Sequence, residues 1–446
     1  MFINSLKFFI GVMLLAFTAS ISAITWQPPV NLSIAGQNAA NVQVAINSAG
    51  NAVAVWQANG YVQASTRHFG GVWSAPVNIS TAGDGQFPQV AVDGAGNIVA
   101  IWLQSPPSSD LVLMSSTLLF GAASWTAPVP ISVPPFQAEN AQLAMNAAGN
   151  AVAVWSYYDG SAFRAQASTL NLGGSWGGSW TAPVYVSMGG QSVAIPRVAI
   201  DSSGNAAMVW VRFDVSNAIV QASTLPFGGS WTAPINLSEA GQNANNPHIT
   251  VSSSGNVIAV WQRSDGINQI IQSRSLPFGG AWSAVSDLST AGQDSTKPQV
   301  AMDSAGNAVV VWIKPYNGIS VVQSSTLSVG ATSWSPFINL SVEGQNADTP
   351  HVAMDNSGTV AVIWKSTGRS SSSIVVSTLP HGEDWTPHFD FFPLTTSADN
   401  PQVALNGSGT AIAAWQSSTI QASIGIATPP PEVGAGWRFL KGKWFK

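Results

Sequence analysis

Eight tryptophans, Trp56, Trp102, Trp155, Trp210, Trp261, Trp312, Trp364 and Trp415, each close the string G-N-x-x-x-x-W, with Thr replacing Asn in the last two. Trp56 and Trp415 lie 359 residues apart over seven steps, which gives a period near 51. A second set, mostly in W-[ST]-x-P form, alternates with the first at Trp26, Trp73, Trp125, Trp180, Trp231, Trp282, Trp334 and Trp385. A unit of this length cannot bury its own apolar face alone and must stack on copies of itself. Composition removes the helical alternative. With 8% charged residues, 41 Gly and 27 Pro, the chain has almost none of the Glu- and Lys-rich runs that helices need.

Within one period four strands can be read. Strand A is the PQVAMD segment 298–303, strand B is AVVVW ending at Trp312, strand C is 320–327 and strand D is 334–341. The A–B connection, Asp303-Ser304-Ala305-Gly306, has the residues of a type I turn closed by a left-handed Gly. Strand B is apolar on both faces, so its sheet must be covered by other sheets, as radial blades are. A D-type strand, 25–33, precedes the first A strand, and the last set stops at strand C. The expected fold is therefore all-β, an eight-bladed β-propeller of four-stranded antiparallel blades. The N-terminal strand around Trp26, Val30 and Leu32 should complete the last blade by pairing with strand C at 419–423.

The recurrent Asp of the A–B turn resembles the Asp-box repeat S-x-D-x-G-x-x-W of sialidase-like propellers, and the resemblance spans the whole repeat region. Here Asn47, Asn146, Ser252 and Asn406 take the Asp position in half of the repeats, and the Trp lies further along. A metal ligand or a catalytic acid would not survive those exchanges, whereas a side chain accepting backbone N–H bonds would. The resemblance implies a sialidase-like scaffold, and on it a sialidase would need three arginines converging on a carboxylate, a Tyr–Glu pair and an acid. No such motif is present. A repeat similar to A-x-D-x-x-x-G…W also occurs in quinoprotein dehydrogenases, which typically place an adjacent Cys pair at the cofactor. This chain has no Cys. No nucleophile-elbow, zinc-protease or phosphate-loop motif occurs, and the five His show no metal-ligand spacing. Neither cofactor nor metal is expected.

Charge and targeting signals bound the partners. The net charge is -5 and no basic cluster lies in the body of the chain, so nucleic acid is not an expected partner. Lys7, the apolar run 8–17 and the small residues of TASISA read as a signal peptide over 1–23 with cleavage after Ala23. The protein is expected to be exported to the periplasm, the cell surface or the medium of a bacterium. The propeller is expected over 24–427. A Pro-rich linker and a basic-aromatic tail follow over 428–446. In that tail Trp437, Phe439, Trp444 and Phe445 alternate with Lys out to Lys446, which suits a membrane surface or an acidic partner.

The face carrying the B–C and D–A connections is the expected recognition surface, because the other two connections repeat too closely to be specific. Its B–C loops hold Tyr158, Arg212, Asp214, Arg263, Asp265 and Tyr316. Each A strand opens this face with one polar residue: Gln43, Gln89, Gln142, Arg197, His248, Gln299, His351 and Gln402. The five Gln suggest a structural ring of amide hydrogen bonds around the channel mouth. Arg197, His248 and His351 break that ring and are the leading candidates for touching a ligand. The expected function is non-catalytic binding of a glycan or a protein by a monomeric propeller. The alternative is a sialidase-like or other glycan-active enzyme on the same scaffold.

Overall fold

The computed structural model describes residues 24–427 except 82, 106–109, 171–177, 317, 342–343, 369–370 and 392–396, together with the backbone of two short strands at Arg438–Leu440 and Lys443–Phe445. Eight antiparallel sheets follow one another in chain order, and no helix occurs among the described residues. Numbered in that order, blade 1 spans 40–78, blade 2 86–130, blade 3 138–185, blade 4 193–236, blade 5 244–287, blade 6 296–339 and blade 7 346–390. Blade 8 takes its inner three strands from 399–427 and its outer strand from the start of the propeller.

That closure follows the strand count. Ile24–Trp26 and Val30–Asn31 both pair with Ile420–Ala427, with Trp26 opposite Gly425 and Val30 opposite Ala422. The expected single strand is thus broken in two, and its partner runs four residues past the expected end. Side chains lock the join: Thr419 Oγ1 donates to Asn31 Oδ1 at 2.9 Å, and Ile420 N donates to Ser33 Oγ at 2.8 Å.

Strand B reaches further than the apolar pattern indicates. In blade 6 it runs Ala308–Tyr316, past Trp312, because ladder hydrogen bonds to strand C continue where the buried apolar segment has ended. In blades 1 to 7 strand D is shorter than expected, with two residues in each, as at Ile338–Asn339. Eight apolar clusters hold the ring together, and each spans two neighbouring blades. Trp56 of blade 1, for example, packs with Ala414, Ile420 and Ala422 of blade 8, and Trp364 of blade 7 with Val309, Val311 and Val322 of blade 6. All eight strand-B tryptophans are buried to 1% exposure or less. The repeated Trp is thus the interblade seal, contributing on the order of 3 kcal/mol of burial at each interface.

The A–B turns work as their chemistry requires. Asp303 Oδ1 accepts from Gly306 N and Asn307 N, and Asp355 Oδ1 from Ser357 N and Thr359 N. Where Asn replaces Asp, its amide reaches the next blade: Asn47 to the Asp93 carbonyl, Asn146 to that of Asp201, and Asn406 across the closure to that of Asn47. The Asn of G-N then ties this turn to the C–D turn, as Asn205 Oδ1 does by accepting from Phe227 N at 2.9 Å. Gly204, at φ +94°, sits under the Phe227 ring, which a Cβ there would strike. These turns stitch one face of the ring together, leaving a cavity of ≈ 460 Å³ between blades 3 and 4.

Candidate functional site

On the other face, every A strand is interrupted at its mouth end. The register against strand B slips immediately before each of Gln43, Gln89, Gln142, Arg197, His248, Gln299, His351 and Gln402. Two residues before each of these lies a non-Gly residue with positive φ: Asn41, Phe87, Asn140, Ile195, Asn246, Lys297, Thr349 and Asn400, between +47° and +55°. Eight β-bulges thus surround the axis, and each re-aims the side chain that follows it. Asn tolerates this conformation; Phe, Ile, Lys and Thr are strained in it.

The bulges of blades 4 to 8 enclose a cavity of ≈ 350 Å³ at the channel mouth, lined by Arg197, His248, Lys297, Gln299, His351 and Gln402 among others. No lining residue carries a carboxylate. His248 and His351 also face the channel beneath, whose wall is otherwise almost wholly aliphatic. The expected ring of amide hydrogen bonds is not formed. Among the described residues no ring Gln bonds another, and Gln142 donates instead to the carbonyl of Ala141 at 2.9 Å.

The imidazoles are fixed from the adjacent blade. Val300 N donates to His248 Nδ1 at 3.3 Å and Val403 N to His351 Nδ1 at 3.4 Å, long bonds that leave the ring proton on Nε2. Burial pushes His248 down to about 3, helped by the charge of Arg197 and by His351. Burial and then Arg197 bring His351 to about 4. Both rings are neutral at pH 7. Arg197 itself is pulled below its ordinary value by burial, its Nε is buried without a partner, and no carboxylate among the described residues pairs with it.

The sequence-derived B–C candidates do not line this cavity. Arg212 pairs with Asp214 at 3.4 Å, and Arg263 with Glu239 at 3.6 Å. The Asp214 carboxylate accepts from Ser216 N and Asn217 N, and that of Asp265 from Ile267 N and Asn268 N, so each closes its own turn. Tyr158 packs edge-on to Phe136 and donates to the Gly160 carbonyl. The backbone of Tyr316 pairs with Ile319; its side chain lies outside the description, as do the proposed signal peptide at 1–23 and Trp437. Lys297 was not singled out by sequence reasoning. It sits on the rim and pairs with Asp348 at 2.5 Å, as Lys365 does with Asp399 at 3.2 Å. Its place two residues ahead of a mouth residue was a usable signal.

No protein-family model matches the chain, and no curated protein aligns with it. Solved structures do resemble it. A PL25 ulvan lyase, a polysaccharide lyase, is 10% identical with a TM-score of 0.52, covering 88% of this chain and 95% of its own. The same kind of enzyme bound to -[GlcA(1-4)Rha3S]- is 9% identical with the same TM-score and coverage. A Hadza microbial sialidase is 13% identical at a TM-score of 0.40, covering 74% and 76%. At these identities the likeness is one of fold.

Proposed function

We propose that this chain is an exported propeller that binds a glycan through the face carrying the B–C and D–A loops, with the axial mouth as the contact point. The observation that carries the reading is the ≈ 350 Å³ cavity ringed by hydrogen-bond donors and free of carboxylates. A sugar offers many hydroxyl acceptors, and a rigid ring of donors on short bulged strands presents them without loop ordering. A lyase of the same fold holding an acidic saccharide sets the class of ligand to try first. The enzyme alternative needs a carboxylate pair at glycosidase separation, or a free base, at this place. The cavity has no carboxylate, and both imidazoles there already accept a backbone N–H.

A glycan array read with the protein and with the combined variant R197Q/H248Q/H351Q tests this. The variant makes the mouth ring uniform and should lose at least about tenfold in signal on any glycan the parent retains. Unchanged binding would move the site to Arg263, Asp265 and Tyr316. Turnover of a bound glycan would replace the binding reading by the enzyme one.

A further inference from the structure

Four basic residues around the mouth are paired with a carboxylate, and Arg197 is not. Lys297 meets Asp348, Lys365 meets Asp399, Arg263 meets Glu239, and Arg212 meets Asp214. Arg197 meets nothing of opposite sign among the described residues, and its Nε, like those of Arg212 and Arg263, is buried without a hydrogen bond. A half-buried guanidinium without a counter-charge is costly to the extent that it has lost water. The fold does not require it, because Gln stands at five of the eight equivalent positions.

Resting on the glycan reading above, we infer that the mouth seats an anionic group of the sugar, a carboxylate or a sulfate, with Arg197 as its counter-charge and His248 and His351 as donors from Nε2. The guanidinium fork matches either oxyanion in two parallel hydrogen bonds. The imidazoles stand on the A strands of blades 5 and 7, and Gln299 and Gln402 add amide donors from blades 6 and 8 to the same cavity. Because Nδ1 of each ring is turned to a backbone N–H, each keeps its donor on the opposite edge without being charged. The rings therefore do not behave as the usual acid-strengthened His⁺ site, which gains affinity as pH falls through about 6.5. An anion beside Arg197 offsets its charge, yet burial is the largest cause holding both rings down, and it stays. Affinity should be flat through the ordinary histidine range.

An NMR titration of the full chain with glucuronate, glucose 6-sulfate, inorganic sulfate and glucose, at about pH 7.5 and about pH 5.5, tests this. The expected result is saturable binding of one or both acidic sugars and none of glucose, with affinities at the two pH values within about twofold. R197Q should weaken the acidic sugar by about tenfold or more, with R197K in between. If R197Q melts early, R197K alone carries the comparison. Which acidic sugar binds distinguishes carboxylate from sulfate. Glucose binding as tightly as glucuronate would overturn the anion inference and leave glycan recognition standing. Inorganic sulfate binding as tightly as either sugar, and lost in R197Q, would uphold the anion site and sink the glycan reading. A severalfold gain at the lower pH would overturn the neutral-donor arrangement, and silence from all four probes would overturn the inference outright.

Discussion

The buried indoles show how much a single side chain contributes in a repeated setting. In six blades the strand-B Trp donates to a Gln, on strand C in five of them and at Gln104 of strand B itself in blade 2, as Trp312 does to Gln323 Oε1 at 3.0 Å. That Gln then donates to Asn339 on strand D at 2.9 Å, so three strands of one blade share a buried relay. Blade 3 lacks it: Tyr185 occupies the strand-D place, and Trp155 Nε1 and Gln166 Oε1 have no partners. Gln323→Leu should cost about 1 to 3 kcal/mol, because it strands a buried indole N–H. Gln166→Leu should cost almost nothing. Urea denaturation of the two variants reads the difference, and equal losses would mean that the relay adds nothing to packing. The sequence displayed every Trp but not this asymmetry, since a Gln pairs or fails to pair according to what stands on the third strand.

Strand A is where sequence and structure part company. Its apolar core and its innermost place were legible in PQVAMD and its relatives. Its bulge was hidden, because left-handed residues are normally read from Gly and none of the eight here is Gly. Two faint signs existed: Asn at four of the positions and Pro directly after six of them. Strain follows at the rest. Thr349, at φ +47° and with its hydroxyl buried without a partner, is the plainest case. Thr349→Asn should gain about 1 kcal/mol and Asn400→Val lose a similar amount, by thermal melting. A loss at Thr349→Asn would show that its hydroxyl has a role unseen here. Arg197, His248 and His351 could be picked out because they interrupt a run of Gln. Their convergence with Lys297 could not, since it depends on where eight separate bulges point.

For the whole molecule, the count of blades was legible from periodicity alone, and so was the need for an imported outer strand. What one sequence could not supply was that the ≈ 350 Å³ mouth cavity lies over blades 4 to 8, since that is a matter of angle around an axis. Removing 24–33 should expose the edge of Ile420–Ala427 and strip Trp26 from Phe391, its edge-on neighbour at 4.9 Å. The protein should then aggregate or melt far below the parent, whereas removing 434–446 should barely move the melting temperature. Equal stability of the N-terminal deletion would mean that the ring closes in some other way. The seam carries one more implication. Ile24 lies opposite Ala427 in the same sheet, so the two ends of the propeller are neighbours in a ladder. The two ends are not held alike: Ile24 lies on the outer edge of the sheet, whereas Ala427 is also held from its other side, where its N–H donates to the Gly409 carbonyl at 2.9 Å, so a pull on the chain should peel the N-terminal end first.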